Sequence, residues 1–582
     1  MLNLLLRSFR AKDKRPSISR PAAAPLPSLE GFEQLLEDGN IDAAERLARV
    51  RLDADPGDID GLAALAGVMA ERGLLAEACL LAERVAAAGP DRADHLCAAA
   101  EINRRAGRDS QALLFSEMSC RADPALPLAW ILRAFSLEVL GRNAEAYDTY
   151  HRAITLDPCN RDIHSSLLFM LYTSGIVEPE TVVEEHRAWA SAHADPLTPA
   201  HPRHANSAQP ERPLRLGYVS SDFRRHVVGY FIEPVLAHHD RRAFQVYCYS
   251  GSPTADDRTA VFRALADIWR DVSGENDEGA AAMIRADAID ILIDLSGHTR
   301  GNRLGIFARK PAPVQASWLG YLGTTGLKAM DYCITDGYTD PPGASECHYV
   351  ERLIRLPTTQ WCYSPPSDAP PVSPLPALRR GYVTFGSFAH YSRLNVHTFQ
   401  AWARILRALP EARLSVTGVT GGDPTDRLFE TLEAGGISAD RVDIRGRIPY
   451  RDYLTRLSEV DIALGAFPYT GAATTCEAVW MGVPLVCLAG GSRPGRSSAS
   501  ILSALQLPEW VAQDWDGYCA VAVRLASDIA QLEQLRAGLR ERMRRSPVTD
   551  AARFTAALEA EYRNAWRRWC AGTSGGPVSA SG

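Results

Sequence analysis

The stretch Gly73-Leu-Leu-Ala-Glu-Ala-Cys-Leu-Leu-Ala-Glu-Arg-Val-Ala-Ala-Ala-Gly-Pro90 belongs to a repeat near the start of the chain. Three of its residues recur every 34 residues: Gly73, Ala78 and Pro90. At a glycine frequency of about 7%, three further matches to a first glycine are roughly a one-in-three-thousand accident. The three columns are Gly39, Gly73, Gly107 and Gly141; Ala44, Ala78, Ala112 and Ala146; and Pro56, Pro90, Pro124 and Pro158.

A 34-residue period with these columns resembles the tetratricopeptide (TPR) repeat. The glycine is expected at the turn between two antiparallel helices, and the alanine where the two backbones approach. The proline is expected to end the second helix, because it cannot continue the hydrogen-bond ladder. Stacked repeats of this kind leave a concave surface for extended peptides. The sequence therefore predicts a TPR superhelix whose groove binds protein or peptide partners.

Composition narrows the class of protein. The hydrophobic share of 46% and the charged share of 23% are ordinary for a globular protein. The net charge of −7 argues against a general nucleic-acid-binding role. The 12 cysteines include no C-x-x-C pair, which indicates neither a zinc site nor a disulfide framework. Free thiols in a large chain favour a cytoplasmic location.

The start of the chain does not have the pattern of a secretory signal. The first ten residues have only a short apolar run and no small-residue cleavage site, so we expect no signal peptide. No stretch approaches the length needed to span a bilayer, so we also expect no membrane span.

Beyond the repeats, short apolar runs alternate with helical segments, which predicts parallel sheets covered on both faces. One proline-rich linker precedes the first such series, and another separates it from the second series. We therefore expect two α/β lobes with a cleft between them. Ligands in such sheets gather outside the carboxyl ends of the strands. The predicted divisions are a flexible leader (1–28), four TPR repeats (29–160), a helical connector and linker (161–213), a first lobe (214–364), a proline-rich linker (365–380), a second lobe (381–548), a C-terminal helix (549–571) and a flexible tail (572–582).

The segment Tyr469-Thr-Gly-Ala-Ala-Thr-Thr-Cys-Glu-Ala-Val-Trp-Met-Gly-Val-Pro484 follows a predicted strand and opens a helix. Thr474 or Thr475 is predicted to cap that helix, leaving backbone N–H groups and the positive dipole end for a phosphate. Glu477, one turn further, could accept hydrogen bonds from a ribose. The alternative is an ordinary capped helix of an α/β sheet.

This segment resembles the donor-binding turn of the O-linked N-acetylglucosamine (O-GlcNAc) transferase family. Residues 216–226, 294–303, 310–326 and 330–336 resemble further motifs of that family in family order, so the similarity covers roughly residues 160–570. The resemblance implies a GT-B fold of two Rossmann-like α/β lobes behind the TPR superhelix. It implies an inverting, metal-independent enzyme without a cofactor, which moves GlcNAc from UDP-GlcNAc to Ser or Thr of protein acceptors.

Two histidines are candidates for positioning or deprotonating the acceptor hydroxyl. His226 follows the first strand of the first lobe, at the position of the family's proposed general base, and the ordinary pKa of an imidazole suits that role. The donor's own phosphate is a rival base, and a histidine that only orders the loop is the structural alternative. His298 follows another strand and is expected to face the same cleft, either to position the acceptor or to order its loop.

The donor site is predicted from the same resemblance. Arg393 stands where the family has a lysine that neutralises the leaving diphosphate; a guanidinium keeps the charge but is bulkier and differently placed. The segment from Ile448 to Arg456 is expected to close over the base. The predicted donor-binding residues are His390, Arg393, Ile448, Pro449, Tyr450, Tyr453, Arg456, Ala472, Ala473, Thr474, Thr475 and Glu477.

Several donor-site positions depart from the family pattern. Tyr453 replaces a histidine, Gly465 an aspartate and Leu322 a proline, while Ala472 and Ala473 replace Gly, His or Thr types. Three functions therefore stay open: a UDP-GlcNAc transferase, a relative using GDP-fucose (as plant relatives do) or UDP-glucose, and a TPR scaffold that binds ligand without turnover.

Overall fold

The computed structural model describes residues 28–29, 31–419, 422–446 and 448–574. The predicted leader lies outside these residues except for Ser28, and the predicted tail lies outside them from Gly575 onward. The chain divides into two compact units, and the main division falls between Ile163 and His164.

The first unit consists of antiparallel helix pairs. Each glycine of the repeat column lies in the turn inside a pair with a positive φ, for example +78° at Gly73 and +71° at Gly107, a conformation that glycine adopts without a steric penalty. The column alanines are completely buried. Each column proline lies two residues beyond the end of a second helix, so the predicted repeat geometry is confirmed. The helices are α1 (Phe32–Glu37), α2 (Ile41–Ala54), α3 (Ile59–Glu71), α4 (Leu75–Ala88), α5 (Ala93–Arg105), α6 (Asp109–Ala122), α7 (Pro127–Val139) and α8 (Asn143–Leu156).

The second unit begins with two connector helices and continues into a seven-stranded parallel sheet with the strand order β3-β2-β1-β4-β5-β6-β7. The apolar runs at 214–220, 244–249 and 289–295 predicted β1, β2 and β4, whereas strands β3, β5, β6 and β7 were not expected from the sequence. The edge strands β3 and β7 carry charged, half-exposed residues that weaken the apolar pattern. The elements are α9 (Arg161–Ser174), α10 (Pro179–His193), β1 (Leu214–Ser220), α11 (Val227–His238), β2 (Phe244–Ser250), α12 (Asp257–Leu265), β3 (Ile268–Asp271), α13 (Asp277–Ala286), β4 (Ile291–Asp294), α14 (Leu304–Ala308), β5 (Val314–Ser317), β6 (Tyr332–Asp336) and β7 (Arg352–Leu356).

The second lobe is a six-stranded parallel sheet with the order β10-β9-β8-β11-β12-β13. The predicted fold of two α/β lobes behind a helical repeat is thus confirmed. The elements are α15 (Pro376–Arg380), β8 (Thr384–Ser387), α16 (Val396–Ala408), β9 (Arg413–Thr417), α17 (Asp423–Ala434), β10 (Val442–Arg445), α18 (Tyr450–Ser458), β11 (Ile462–Leu464), α19 (Ala472–Trp480), β12 (Leu485–Leu488), α20 (Ser497–Ala504), β13 (Val511–Ala512), α21 (Trp515–Ser527), α22 (Ile529–Arg544) and α23 (Ala551–Ser574).

Two features join the lobes. Arg493 of the second lobe is buried and donates hydrogen bonds to the Ile334 carbonyl (2.6 Å) and to Gln360 Oε1 (2.5 Å) of the first lobe. Helix α23 returns to the first lobe, where Glu559 accepts a hydrogen bond from His239 Nδ1 at 2.9 Å. The loops after β1, β8 and β11 follow the carboxyl ends of their strands, where ligands of such sheets bind.

Candidate active site

Arg393 lies on the loop between β8 and α16. Its guanidinium carbon is 4.3 Å from the centre of the Tyr469 ring. Among the described residues, no carboxylate forms an ion pair with it. Arg393 and Tyr469 line a cavity together with Gly471, Thr474 and Thr475. The guanidinium is therefore held in place by an aromatic face without being neutralised, which leaves it able to bind an anion.

Helix α19 begins at this cavity. The N-cap residue is Gly471, which has no side chain to accept a hydrogen bond from the first N–H groups of the helix. The prediction that Thr474 or Thr475 caps the helix is wrong, because both lie inside it and their hydroxyls donate to the Gly471 carbonyl at 3.0 and 2.7 Å. Ala472 and Ala473 form the start of the first turn. The uncapped N–H groups and the dipole of this turn add to the positive charge of Arg393.

Glu477 is buried on the second turn of the same helix. The hydroxyls of Tyr450 and Tyr453 donate to its two carboxylate oxygens at 2.9 and 2.8 Å. Burial raises the pKa of Glu477 to about 7. The structure thus brings three predicted donor residues together, and each carboxylate oxygen keeps a further lone pair.

The remaining predicted donor residues differ in their surroundings. Ile448 and Pro449 lead into α18, and Pro449 is its N-cap. His390 is exposed, and its Nδ1 lies 2.8 Å from Ser392 Oγ, next to Arg393. Arg456 pairs with Asp443 and Glu459, and its charge is satisfied within the second lobe. The structure therefore does not bring Arg456 to the cavity as a free cation.

His226 is the N-cap residue of α11 and is more than one-third exposed, at 38% of its side chain. The Val228 N–H points at its Nδ1 from 3.3 Å, and Asp222 Oδ2 lies 3.4 Å from the same nitrogen. Partial burial lowers its pKa, so the ring is neutral at neutral pH. One turn along α11, the Tyr230 ring stacks on Tyr450 of the second lobe with centroids 6.0 Å apart. This contact places the start of α11 against the donor-side helix α18.

His298 is not in the cleft. It is 2% exposed, its Nδ1 lies 3.2 Å from Ser165 Oγ, and its Nε2 lies 2.9 Å from the Thr325 carbonyl. The Trp189 ring packs edge-on against it. The structure does not bring His298 to the cavity: the connector helices α9 and α10 cover it, which favours the alternative that this histidine orders its loop.

Three residues that contact the site were not assigned a role from the sequence. Tyr469 supports Arg393, Tyr230 bridges the lobes and Asp222 lies beside His226. Asp222 had a readable signal, because it precedes His226 by four residues in Ser-Ser-Asp-Phe-Arg-Arg-His. The two tyrosines had none, since only the fold brings them to their partners.

Within the described ranges, no group of three or more His, Cys, Asp or Glu side chains is arranged to hold a metal ion. No helix there combines the length and the apolar character needed to cross a bilayer.

Comparison with known proteins places the chain. A relative from Solanum lycopersicum, named "Probable UDP-N-acetylglucosamine--peptide N-acetylglucosaminyltransferase SPINDLY", is 41% identical over 72% of this chain and 46% of its own length. A relative from Arabidopsis thaliana with the same enzyme name but called SEC is 29% identical over 62% of this chain and 38% of its own. The chain thus spans about half the length, or less, of these relatives.

A solved structure, that of a mutant of the Thermobaculum terrenum O-GlcNAc transferase, matches with a TM-score of 0.80 and 36% identity. The match covers 88% of this chain and 98% of that one. The model of the family "Glycosyl transferase family 41" matches residues 170–363 and 376–558. The resemblance to O-GlcNAc transferases is confirmed, and the chain belongs to glycosyl transferase family 41.

Proposed function

We propose that this protein is an inverting, metal-independent protein O-glycosyltransferase that transfers GlcNAc from UDP-GlcNAc to a Ser or Thr hydroxyl. One observation carries the proposal: Arg393, whose charge is not neutralised by a carboxylate, and the start of α19, which has no side-chain cap, line the same cavity. Both relatives carry the name of this enzyme, which agrees with the proposal.

The cavity suits a diphosphate. A guanidinium can hold two phosphate oxygens at once, and the first turn of a helix offers N–H groups and a positive dipole end. Arg393 and the backbone of Ala472 to Thr474 would therefore hold the two phosphates of a nucleotide sugar. Glu477, with Tyr450 and Tyr453, would accept the ribose hydroxyls beside them. His390, Ile448 and Pro449 would border the nucleotide.

The proposed reaction is a single displacement. The acceptor oxygen attacks the anomeric carbon from the side opposite the diphosphate and forms the new C–O bond. The bond from that carbon to the phosphate oxygen breaks, and its electron pair leaves with the diphosphate, which Arg393 stabilises. The hydroxyl proton passes to His226, whose neutral ring can accept it. The configuration at the anomeric carbon is inverted.

The TPR unit would recruit the acceptor. A superhelix of stacked helix pairs offers a concave surface along which an extended segment of a partner protein can lie. We propose that protein or peptide acceptors bind along this surface before one of their hydroxyls reacts.

A panel of nucleotide sugars tests the donor and the activity together. UDP-GlcNAc, UDP-glucose and GDP-fucose are scored by calorimetry and then by donor hydrolysis and transfer to protein acceptors. We expect UDP-GlcNAc to bind and to be turned over. Preference for another donor would correct the sugar within the same family. Binding of any donor without hydrolysis or transfer would overturn the enzyme and favour the scaffold.

A further inference from the structure

Asp222 is a buried carboxylate that the proposed reaction has not used. It lies in the turn between β1 and α11, 6% exposed, and its own N–H donates to Ser220 Oγ at 2.9 Å. Its Oδ2 is 3.4 Å from His226 Nδ1, and its Oδ1 is 3.3 Å from the Arg224 guanidinium. One oxygen therefore faces the histidine and the other faces the Arg224 guanidinium.

Two neighbours compete for the same nitrogen of His226. The Val228 N–H points at Nδ1 from 3.3 Å and needs a lone pair there, which would put the single proton of the neutral ring on Nε2. The carboxylate of Asp222 needs a proton on Nδ1 instead. These two arrangements exclude each other in the neutral ring.

The difference decides what His226 can do. A ring protonated at Nε2 offers the cleft a donor and cannot take a proton from an acceptor hydroxyl. A ring protonated at Nδ1 presents the lone pair of Nε2, which a general base requires. A carboxylate that holds Nδ1–H also stabilises the imidazolium once the proton has arrived, as in the Ser-His-Asp triad.

We infer that Asp222 is a positioning residue that selects the Nδ1–H form of His226 against the Val228 N–H and thereby makes His226 a base. The inference rests on the proposed function, in which His226 takes the acceptor proton. Two charged groups face the imidazole: Asp222 raises its pKa and Arg224 lowers it.

The first experiment reads the ring directly and needs no turnover. Nitrogen-15 NMR of histidine-labelled protein, with the His226 signal identified by its loss in His226→Gln, reports which ring nitrogen carries the proton. We expect Nδ1–H in the wild type at neutral pH and Nε2–H in Asp222→Asn, because an amide can turn its N–H toward Nδ1. Wild-type protein with the proton on Nε2 would overturn the inference.

The second experiment is kinetic. Asp222→Asn should lower kcat for transfer about 10- to 100-fold, less than the loss of about 10⁴ seen for the shorter triad contact. Donor Kd and Tm should stay near wild type, and the acid limb of the kcat/KM profile should move to lower pH because a negative neighbour is lost. Asp222→Glu keeps the charge and should recover part of the rate. Arg224→Met is the matched control, and its acid limb should move to higher pH.

The outcomes separate the two proposals. If His226→Ala keeps its turnover, or the wild type transfers nothing, the base assignment in the proposed function fails, while the ring proton seen by NMR still tests the selection by Asp222. If His226→Ala is inactive but Asp222→Asn has wild-type kcat and pH profile, Asp222 plays no part. If Asp222→Asn loses donor affinity and Tm together with kcat, the residue has only a structural role.

Discussion

The guanidinium of Arg393 lies over the Tyr469 ring, with its central carbon 4.3 Å from the ring centre. An aromatic face restrains a guanidinium and leaves its full charge, whereas a carboxylate would cancel it. The arrangement agrees with the prediction that Arg393 stands where the family pattern has lysine, because Tyr469 restrains the guanidinium before a ligand arrives.

Replacing Arg393 tests its assignment to the leaving group. Arg393→Ala should lower kcat for transfer about 100-fold or more, because a charge facing a developing oxyanion in a water-poor site is worth several kcal/mol. Arg393→Lys should also lower kcat, by about tenfold, because an ammonium does not stack on an aromatic face as a guanidinium does. Steady-state transfer assays with both variants check this, and near-normal turnover of Arg393→Ala would contradict the assignment.

Tyr469 offers a separate test of the aromatic support. Tyr469→Phe keeps the ring and should stay within about twofold of wild type, while Tyr469→Leu should lose about 3- to 30-fold in kcat/KM, the range of a cation–π contact. The double variant Tyr469→Leu with Arg393→Lys should lose less than the product of the single losses. Fully multiplicative losses would mean that the two side chains act independently.

His226→Ala decides between a base and a structural histidine. If His226 takes the acceptor proton, transfer should fall by about 10²–10⁴ while the donor Kd stays within a few-fold. A histidine that only orders the start of α11 should lower Tm and weaken donor binding together. The measurement is paired turnover and calorimetry on wild type and variant under the same conditions.

The pKa of Glu477, raised to about 7 by burial, predicts that donor binding depends on pH. An ionised carboxylate accepts ribose hydroxyls better than a protonated one, so donor Kd should fall as pH rises from about 6 to about 8. Glu477→Gln should weaken binding at the upper end of this range and flatten the dependence. Calorimetric titrations at several pH values check it; an unchanged slope in Glu477→Gln would assign the pH dependence to another group.

The same shift has a consequence for stability with a defined sign. The folded-state pKa lies above the unfolded value near 4.5, so the stabilisation is complete below that value and is lost as pH rises toward 7. Glu477→Gln should therefore gain in Tm relative to wild type as pH rises from about 5 to about 8. The direction follows because folding favours the protonated carboxyl.

The repeat turns can be tested by adding one methyl group. Gly107 has a φ of +71°, so Gly107→Ala should destabilise the first unit by about 1–2 kcal/mol. The matched control is Gly67→Ala inside α3, where a Cβ meets nothing within 4 Å and φ is helical. That change should stabilise the unit by up to about 1 kcal/mol. Chemical unfolding of both variants checks the contrast, and equal effects would contradict it.

The sequence by itself determined the features that arise within a few residues of chain. The positive φ at the turn requires glycine, and a proline two residues past a helix stops its ladder, so the repeat was readable from spacing alone. Strands β1, β2 and β4 were readable from their largely apolar runs, whereas the buried strands β5 and β6 were not, because they include polar residues. The edge strands β3 and β7 could not be predicted from an apolar pattern, because their partial exposure allows charged residues in them.

Only the tertiary structure decided which motif residues meet and what each contacts. Glu477 receives hydroxyls from Tyr450 and Tyr453 of another helix, and His298 is covered by α9 and α10, so neither environment could be read locally. The start of helix α19 has no side-chain cap although two threonines are near, because their hydroxyls donate to the Gly471 carbonyl. Burial and hydrogen-bond partners depend on residues distant in the chain. Residue spacing therefore predicts a turn, but it does not predict the pKa of a buried group such as Glu477.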